Sequence, residues 1–224
     1  MADRNDPRFS GLPARQGLNK EDDMLVKQLE VGKMANFCYI LGCRKTGQGA
    51  VIDPGADGDL ILDEIKKHGV KLKYILATHF HYDHTDMIPF LKQKTGATTA
   101  MHRHDIPYYK KDIDIALQDG DLLEIGVRVS LTVLHTPGHT PGGVCYYGAN
   151  MLFTGDTLFV GDSGRTDFPY GHRPTLGASI RRIMELPEDT VVMPGHDYGP
   201  TRTSTLLQEK RHNVNAREYG FYKE

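Results

Sequence analysis

With 224 residues and a formal net charge of −2, the chain can bury one substantial core and lacks the basic excess that draws proteins to nucleic acid or an anionic membrane surface. Its longest apolar runs, such as 50–52 and 151–153, are far too short to cross a bilayer. Cys38, Cys43 and Cys145 follow neither disulfide nor zinc-knuckle spacing, and the first residues lack the apolar stretch of a secretory signal. A reduced, cytoplasmic setting is the expectation.

Residues 1–23 are polar and broken by Gly and Pro, which predicts a flexible extension before a single domain over 24–224. Strands are predicted at 26–30, 37–41 and 49–52, separated by Gly-bearing turns. Asp53-Pro54-Gly55 ends the third sharply. Asp59 is placed to cap a helix with Leu60, Ile61, Leu62 and Ile65 inward, stopped at Gly69. Residues 74–77 form a short buried strand that delivers Thr78-His79-Phe80-His81-Tyr82-Asp83-His84 at the turn into a further helix.

Strands follow at 98–101, 122–125, 127–134, 144–147 and 151–154. The third of these alternates as a half-buried strand does. A helix over about 175–186 carries Leu176, Ile180, Ile183 and Met184. A last strand at 190–193 runs into Pro194-Gly195-His196, and a polar helix is predicted over about 203–213. Many strands with few, spaced helices imply two sheets flanked by helices, an α/β (α+β) arrangement, rather than one doubly wound sheet.

The chemistry is concentrated first in residues 79–84. Imidazole and carboxylate suit zinc, iron and manganese. His79 and His81 are two apart and face the same way on an extended segment. Asp83 and His84, where the chain turns, can serve a neighbouring position. Three further candidates stand at strand ends: His139 in the Thr136–Gly143 loop, Asp156 after Phe153-Thr154-Gly155, and His196 after Pro194-Gly195. Each alone is weak. Together they repeat one design, a ligand just past the carboxyl end of a strand. His102, His104, His135 and His172 are expected outside this set, with His135 the best candidate to support it from behind, and Cys145 is expected in the core.

His-X-His-X-Asp-His, Thr-Pro-Gly-His-Thr-Pro-Gly, Phe-Thr-Gly-Asp and Pro-Gly-His, in this order, resemble the metallo-β-lactamase superfamily from about Met24 to the end. The resemblance implies a four-layer αβ/βα sandwich with the site at one edge. It also implies a first metal on His79, His81 and His139, a second on Asp83, His84 and His196, and Asp156 bridging. Thr136–Gly143 and Phe153–Phe159 resemble glyoxalase II, while Gly164-Arg165-Thr166-Asp167-Phe168 resembles its short relatives, including persulfide dioxygenases. Only about 28 residues follow His196, so the helical C-terminal domain of eukaryotic glyoxalase II is not expected.

The resemblance leads to two readings. In the first, two divalent ions, zinc and/or iron, hold a hydroxide that cleaves a small acyl thioester of the S-D-lactoylglutathione type, with Asp83 as the catalytic carboxylate. In the second, one iron on His79, His139 and Asp156 oxidises a persulfide. Arg165 is a candidate for a substrate carboxylate, with a salt bridge to Asp167 as its competing role, and Tyr198 a candidate pocket wall. The expected partner is a small thioester or thiol-derived molecule, not nucleic acid or membrane, with room for an oligomer.

Overall fold

The computed structural model describes residues 23–127, 129–215 and 218–221. Apart from Asp23, the extension expected over 1–23 lies outside the described residues. The chain begins with an antiparallel meander, β1 (Met24–Val31), β2 (Asn36–Cys43) and β3 (Gln48–Ile52). Helix α1 (Gly58–Lys67) carries it to β4 (Lys71–Leu76), parallel to β3. One-turn α2 (Tyr82–Thr85) and α3 (Ile88–Thr95) lead to β5 (Thr98–His102), and α4 (Ile106–Tyr109) to β6 (Ile115–Leu117), both again parallel. These six strands form one sheet in sequence order.

The second sheet repeats the plan. An antiparallel run of β7 (Leu122–Gly126), β8 (Val129–His135), β9 (Val144–Gly148) and β10 (Met151–Gly155) precedes α5 (Arg173–Ile183). That helix crosses to β11 (Val191–Pro194), parallel to β10, and the chain continues through β12 (Ser204–Thr205) and α6 (Leu206–His212).

Strand alternation dictates the layers. On β2, Phe37, Tyr39 and Leu41 point one way and join Leu131, Val133, Tyr146 and Phe153 of the second sheet in the central core. Cys38 and Ile40 point the other way and meet Ile61, Ile65, Ile88 and Leu91 of α1 and α3. On the far side, Leu134, Cys145 and Leu152 pack under Leu176, Ile180 and Ile183 of α5 and Leu206 of α6. The result is helix, sheet, sheet, helix, the expected four-layer αβ/βα sandwich. Among the described residues no helix is long and apolar enough to cross a membrane.

Local details differ from expectation. Asp57, not Asp59, holds the N-cap position of α1, at φ 52°, and its Oδ2 accepts from Gly32 N at 2.7 Å. Asp59 lies in the first helical turn, where its charge complements the helix dipole. Val127 is 60% exposed in the turn between β7 and β8, so the strand starts at Val129. Residues 204–205, expected as helix, form the short β12, and Thr205 caps α6 in a reciprocal box with Gln208.

Candidate metal centre

Parallel strands place their carboxyl ends at one sheet edge. There β4 delivers His79 and His81, β8 leads to His139, β10 ends before Asp156, and β11 before His196. Backbone bonds tie the two sheets together at this edge: Phe37 N donates to Gly195 O at 2.8 Å and Val144 N to Thr78 O at 2.9 Å.

The structure brings all seven predicted ligands into one cluster. His79 Nε2 and His139 Nε2 each lie 3.0 Å from His81 Nδ1. His84 Nε2 and His196 Nε2 are 3.1 Å apart, and Asp83 Oδ2 is 3.6 Å from each. Asp156 stands between the two groups. Its Oδ2 is 3.5 Å from His139 Nε2, and its Oδ1 is 3.3 and 3.5 Å from His84 and His196 Nε2. Gly195 makes room, since a Cβ there would sit 2.7 Å from Asp156 Oδ1.

Each imidazole is oriented through its other nitrogen, as ligands in metal sites are. His79 Nδ1 donates to Thr78 Oγ1 (3.1 Å), itself bonded to Asp53. His84 Nδ1 donates to Asp53 Oδ2 (3.0 Å), His139 Nδ1 to Arg165 O (2.7 Å) and His196 Nδ1 to Met34 O (2.9 Å). His81 Nε2 pairs with the Tyr170 hydroxyl at 2.7 Å. Four rings therefore turn Nε2 inward and His81 turns Nδ1 inward.

The electrostatics suit a cation. Burial holds His79 well below the ordinary imidazole range, with repulsion from His84 adding to it, and burial with His139 brings His81 to about 4. Both present the neutral imidazole a metal requires. Burial alone would lower His84 too, yet Asp156 and Asp53 raise it to about 9. The carboxylates thus draw positive charge inward, a demand that a divalent ion would meet by displacing that proton. Asp156 Oδ1 is buried without a well-formed hydrogen bond among the described residues, the mark of a group awaiting a stronger partner.

These features have a known counterpart. The metallo-β-lactamase superfamily matches residues 31–196. The chain belongs to that superfamily. A hydroxyacylglutathione hydrolase of Methylobacillus flagellatus is 36% identical over 182 residues, covering 80% of this chain and 68% of that protein. A β-lactamase hydrolase-like protein of Agrobacterium fabrum is 40% identical over 78% of the chain, which spans only 48% of that protein's length. Among solved structures, ETHE1 from Myxococcus xanthus superposes with a TM-score of 0.79 at 31% identity, over 87% of both chains. TTHA1623 in a di-iron-bound form gives 0.76 at 30% identity, over 84% of this chain and 99% of that one. A superfamily of zinc- and iron-binding proteins agrees with the donor set found here.

The remaining candidates surround the centre. Tyr198, 58% exposed, stacks on His196 with centroids 4.5 Å apart. Arg165 is exposed, paired with Asp167 at 2.5 Å and laid over Phe168. Phe80, Tyr108, Phe168 and Tyr170 form an aromatic wall on the His81 side, Phe80 stacking on Tyr108 at 5.0 Å and Phe168 on Tyr170 at 5.5 Å. Cys145 is fully buried, its thiol pushed up to about 11 by burial, which suits core packing and not nucleophilic attack. His172 stands at the N-cap position of α5 and its ring bonds the Thr175 hydroxyl.

Four supporting residues were not singled out from sequence. Asp53 holds His84 and Thr78, and Asn36 donates to Asp83 Oδ2 at 2.9 Å. Tyr170 holds His81. Asp105, fully buried, accepts from Phe80 N, Thr140 Oγ1 and Gly142 N, joining the two principal ligand loops. Asp53 carried one signal, a carboxylate at a strand end like Asp156.

Proposed function

We propose that the protein is a metal-dependent hydrolase of a small acyl thioester, of the glyoxalase II type. The observation that supports this is Asp156 placed between two nitrogen-rich groups, which suits the cluster to two ions. His79, His81 and His139 would hold one ion, Asp83, His84 and His196 the other, with Asp156 shared. Bound there, zinc or iron supplies Lewis acidity, activating water and polarising a carbonyl.

The protein's own residues do the rest. Asp83, its Oδ2 fixed by Asn36, orients the attacking water and accepts its proton. The aromatic wall excludes bulk solvent and takes the organic part of the thiol. Tyr198 lines the opposite side. Arg165 receives a substrate carboxylate in exchange for Asp167, since a solvent-screened surface pair of this kind is readily exchanged. A thiol of pKa about 8.5 leaves as thiolate without a strong protein acid. The printed names of the hydroxyacylglutathione hydrolase relatives support the substrate class. The test is turnover of S-D-lactoylglutathione in air and under nitrogen. Equal rates are expected, and no cleavage of this or any small acyl thioester would sink the proposal.

A second reading draws on the likeness to ETHE1 and on one small cavity lined by His79, His139 and Asp156. A single iron on those three would support dioxygenation of a persulfide. That enzyme would consume oxygen with glutathione persulfide and stop when zinc replaced iron.

A further inference from the structure

Three histidines that the proposed reaction does not use also reach the carboxyl edge of the sheets. His102 ends β5 and is carried there by the same strand direction that carries His79 from neighbouring β4. His104 follows two residues later. His135 ends β8 and comes from the second sheet. The rings of His102 and His135 lie face to face, centroids 4.0 Å apart and 15° from parallel. His104 closes against them at 4.9 and 5.5 Å. One ring nitrogen of each lies within 4.8 Å of the other two.

We propose that His102, His104 and His135 form a second transition-metal site, separate from the seven-residue centre, for a divalent ion of the zinc class. A tetrahedral ion with arms of about 2.05 Å wants donors about 3.4 Å apart, so nitrogens as much as 4.8 Å apart must close by up to about 1.4 Å, and the stacked rings of His102 and His135 must tilt apart so that the ion lies in both ring planes. His104 is exposed and can make the approach, while the tilt falls to half-buried His135 against buried His102, which fixes the site's depth. His135 is already set as a ligand. Its Nε2–H donates to Pro141 O at 3.0 Å, which leaves Nδ1 with the free lone pair. Its backbone is braced as well: His135 N donates to Asp119 Oδ1 at 2.7 Å, and Arg182 grips both Asp119 and His135 O. The site links the two sheets, and through Pro141 it steadies the loop that carries His139. Its fourth position opens to solvent on the His104 side.

The test uses tag-free, full-length protein whose centre is already loaded with Zn2+. It is dialysed against micromolar Zn2+ and its metal counted by mass spectrometry, beside His104→Ala and His135→Asn. Because the readout is the difference between proteins, it holds whether the centre takes one ion or two. Wild type is expected to carry one zinc per chain more than either variant, and to show a zinc-dependent rise in melting temperature that both variants lack. Circular dichroism checks that each variant is folded, and His104, on the surface, is the safer of the two. Equal zinc in all three proteins would overturn the proposal. So would variants that lose the centre's own metal together with the extra ion, because the sites would then not be separate.

Discussion

Replacing Asp105 with Ala probes how the two principal ligand loops are held together. Its carboxylate accepts from Phe80 N at 3.0 Å and Thr140 Oγ1 at 2.8 Å through Oδ2, and from Gly142 N at 2.5 Å through Oδ1. Without it the threonine hydroxyl can turn to a new partner, but two backbone N–H groups are stranded at about 1–3 kcal/mol each. A second quantity opposes that loss. Burial raises the Asp105 acid from 3.8 to about 6, against its three donors. The folded state therefore holds this proton more tightly than the unfolded state does. The stability so gained is complete below about pH 4 and is lost as pH rises through 6, a change of about 3 kcal/mol in all. Only about 1 kcal/mol of it falls between pH 5 and 7.

Asp105→Ala is thus expected to destabilise more at pH 5 than at pH 7, by about 1 kcal/mol, in urea unfolding with chelator present. With the loops no longer joined, zinc affinity of the centre should fall about 10–100-fold, as when the groups behind metal ligands are removed. A variant that binds zinc like wild type, or whose destabilisation is larger at pH 7, would refute this role for Asp105.

Asp83→Ala should reduce kcat at least about 100-fold while circular dichroism and the melting temperature of the metal-stripped protein stay near wild type, because the carboxylate faces the pocket and not the core; near-full turnover would contradict the two-ion mechanism. Arg165→Ala should raise KM several-fold for a thioester bearing a carboxylate and leave kcat unchanged; an unaltered KM would leave Arg165 as a partner of Asp167 only. Phe153→Ala removes a fully buried ring set edge-on to Tyr39 at 5.0 Å and should cost about 3–5 kcal/mol in denaturant unfolding, a loss under 1 kcal/mol refuting its place at the centre of the sandwich.

The candidate ligands were legible because their chemistry is local. His79, His81, Asp83 and His84 fall within six residues, and the other three share a strand-end position that strand patterns already mark. The residues that orient them were not. Tyr170 lies 89 positions from His81 and Asn36 47 from Asp83, and nothing in a tyrosine or asparagine announces such a contact. The sandwich followed from the number and spacing of strands, but β2 reads only as a short apolar run, and periodicity cannot tell that both its faces are buried. Strand β6 has three residues, too few for any pattern. Thr205 was absorbed into a predicted helix because a cap and the residue before it differ by one backbone angle. Arg165 pairs with Asp167, the competing role that two charges so close in sequence offer.

The central claim, a two-ion centre divided by Asp156, is tested most directly by anomalous scattering from crystals of the zinc-loaded protein. Two peaks are predicted in the pocket, one against His79, His81 and His139, the other against Asp83, His84 and His196, each within reach of one Asp156 oxygen. A single peak there at full loading, or two peaks with Asp156 turned away from both, would contradict it.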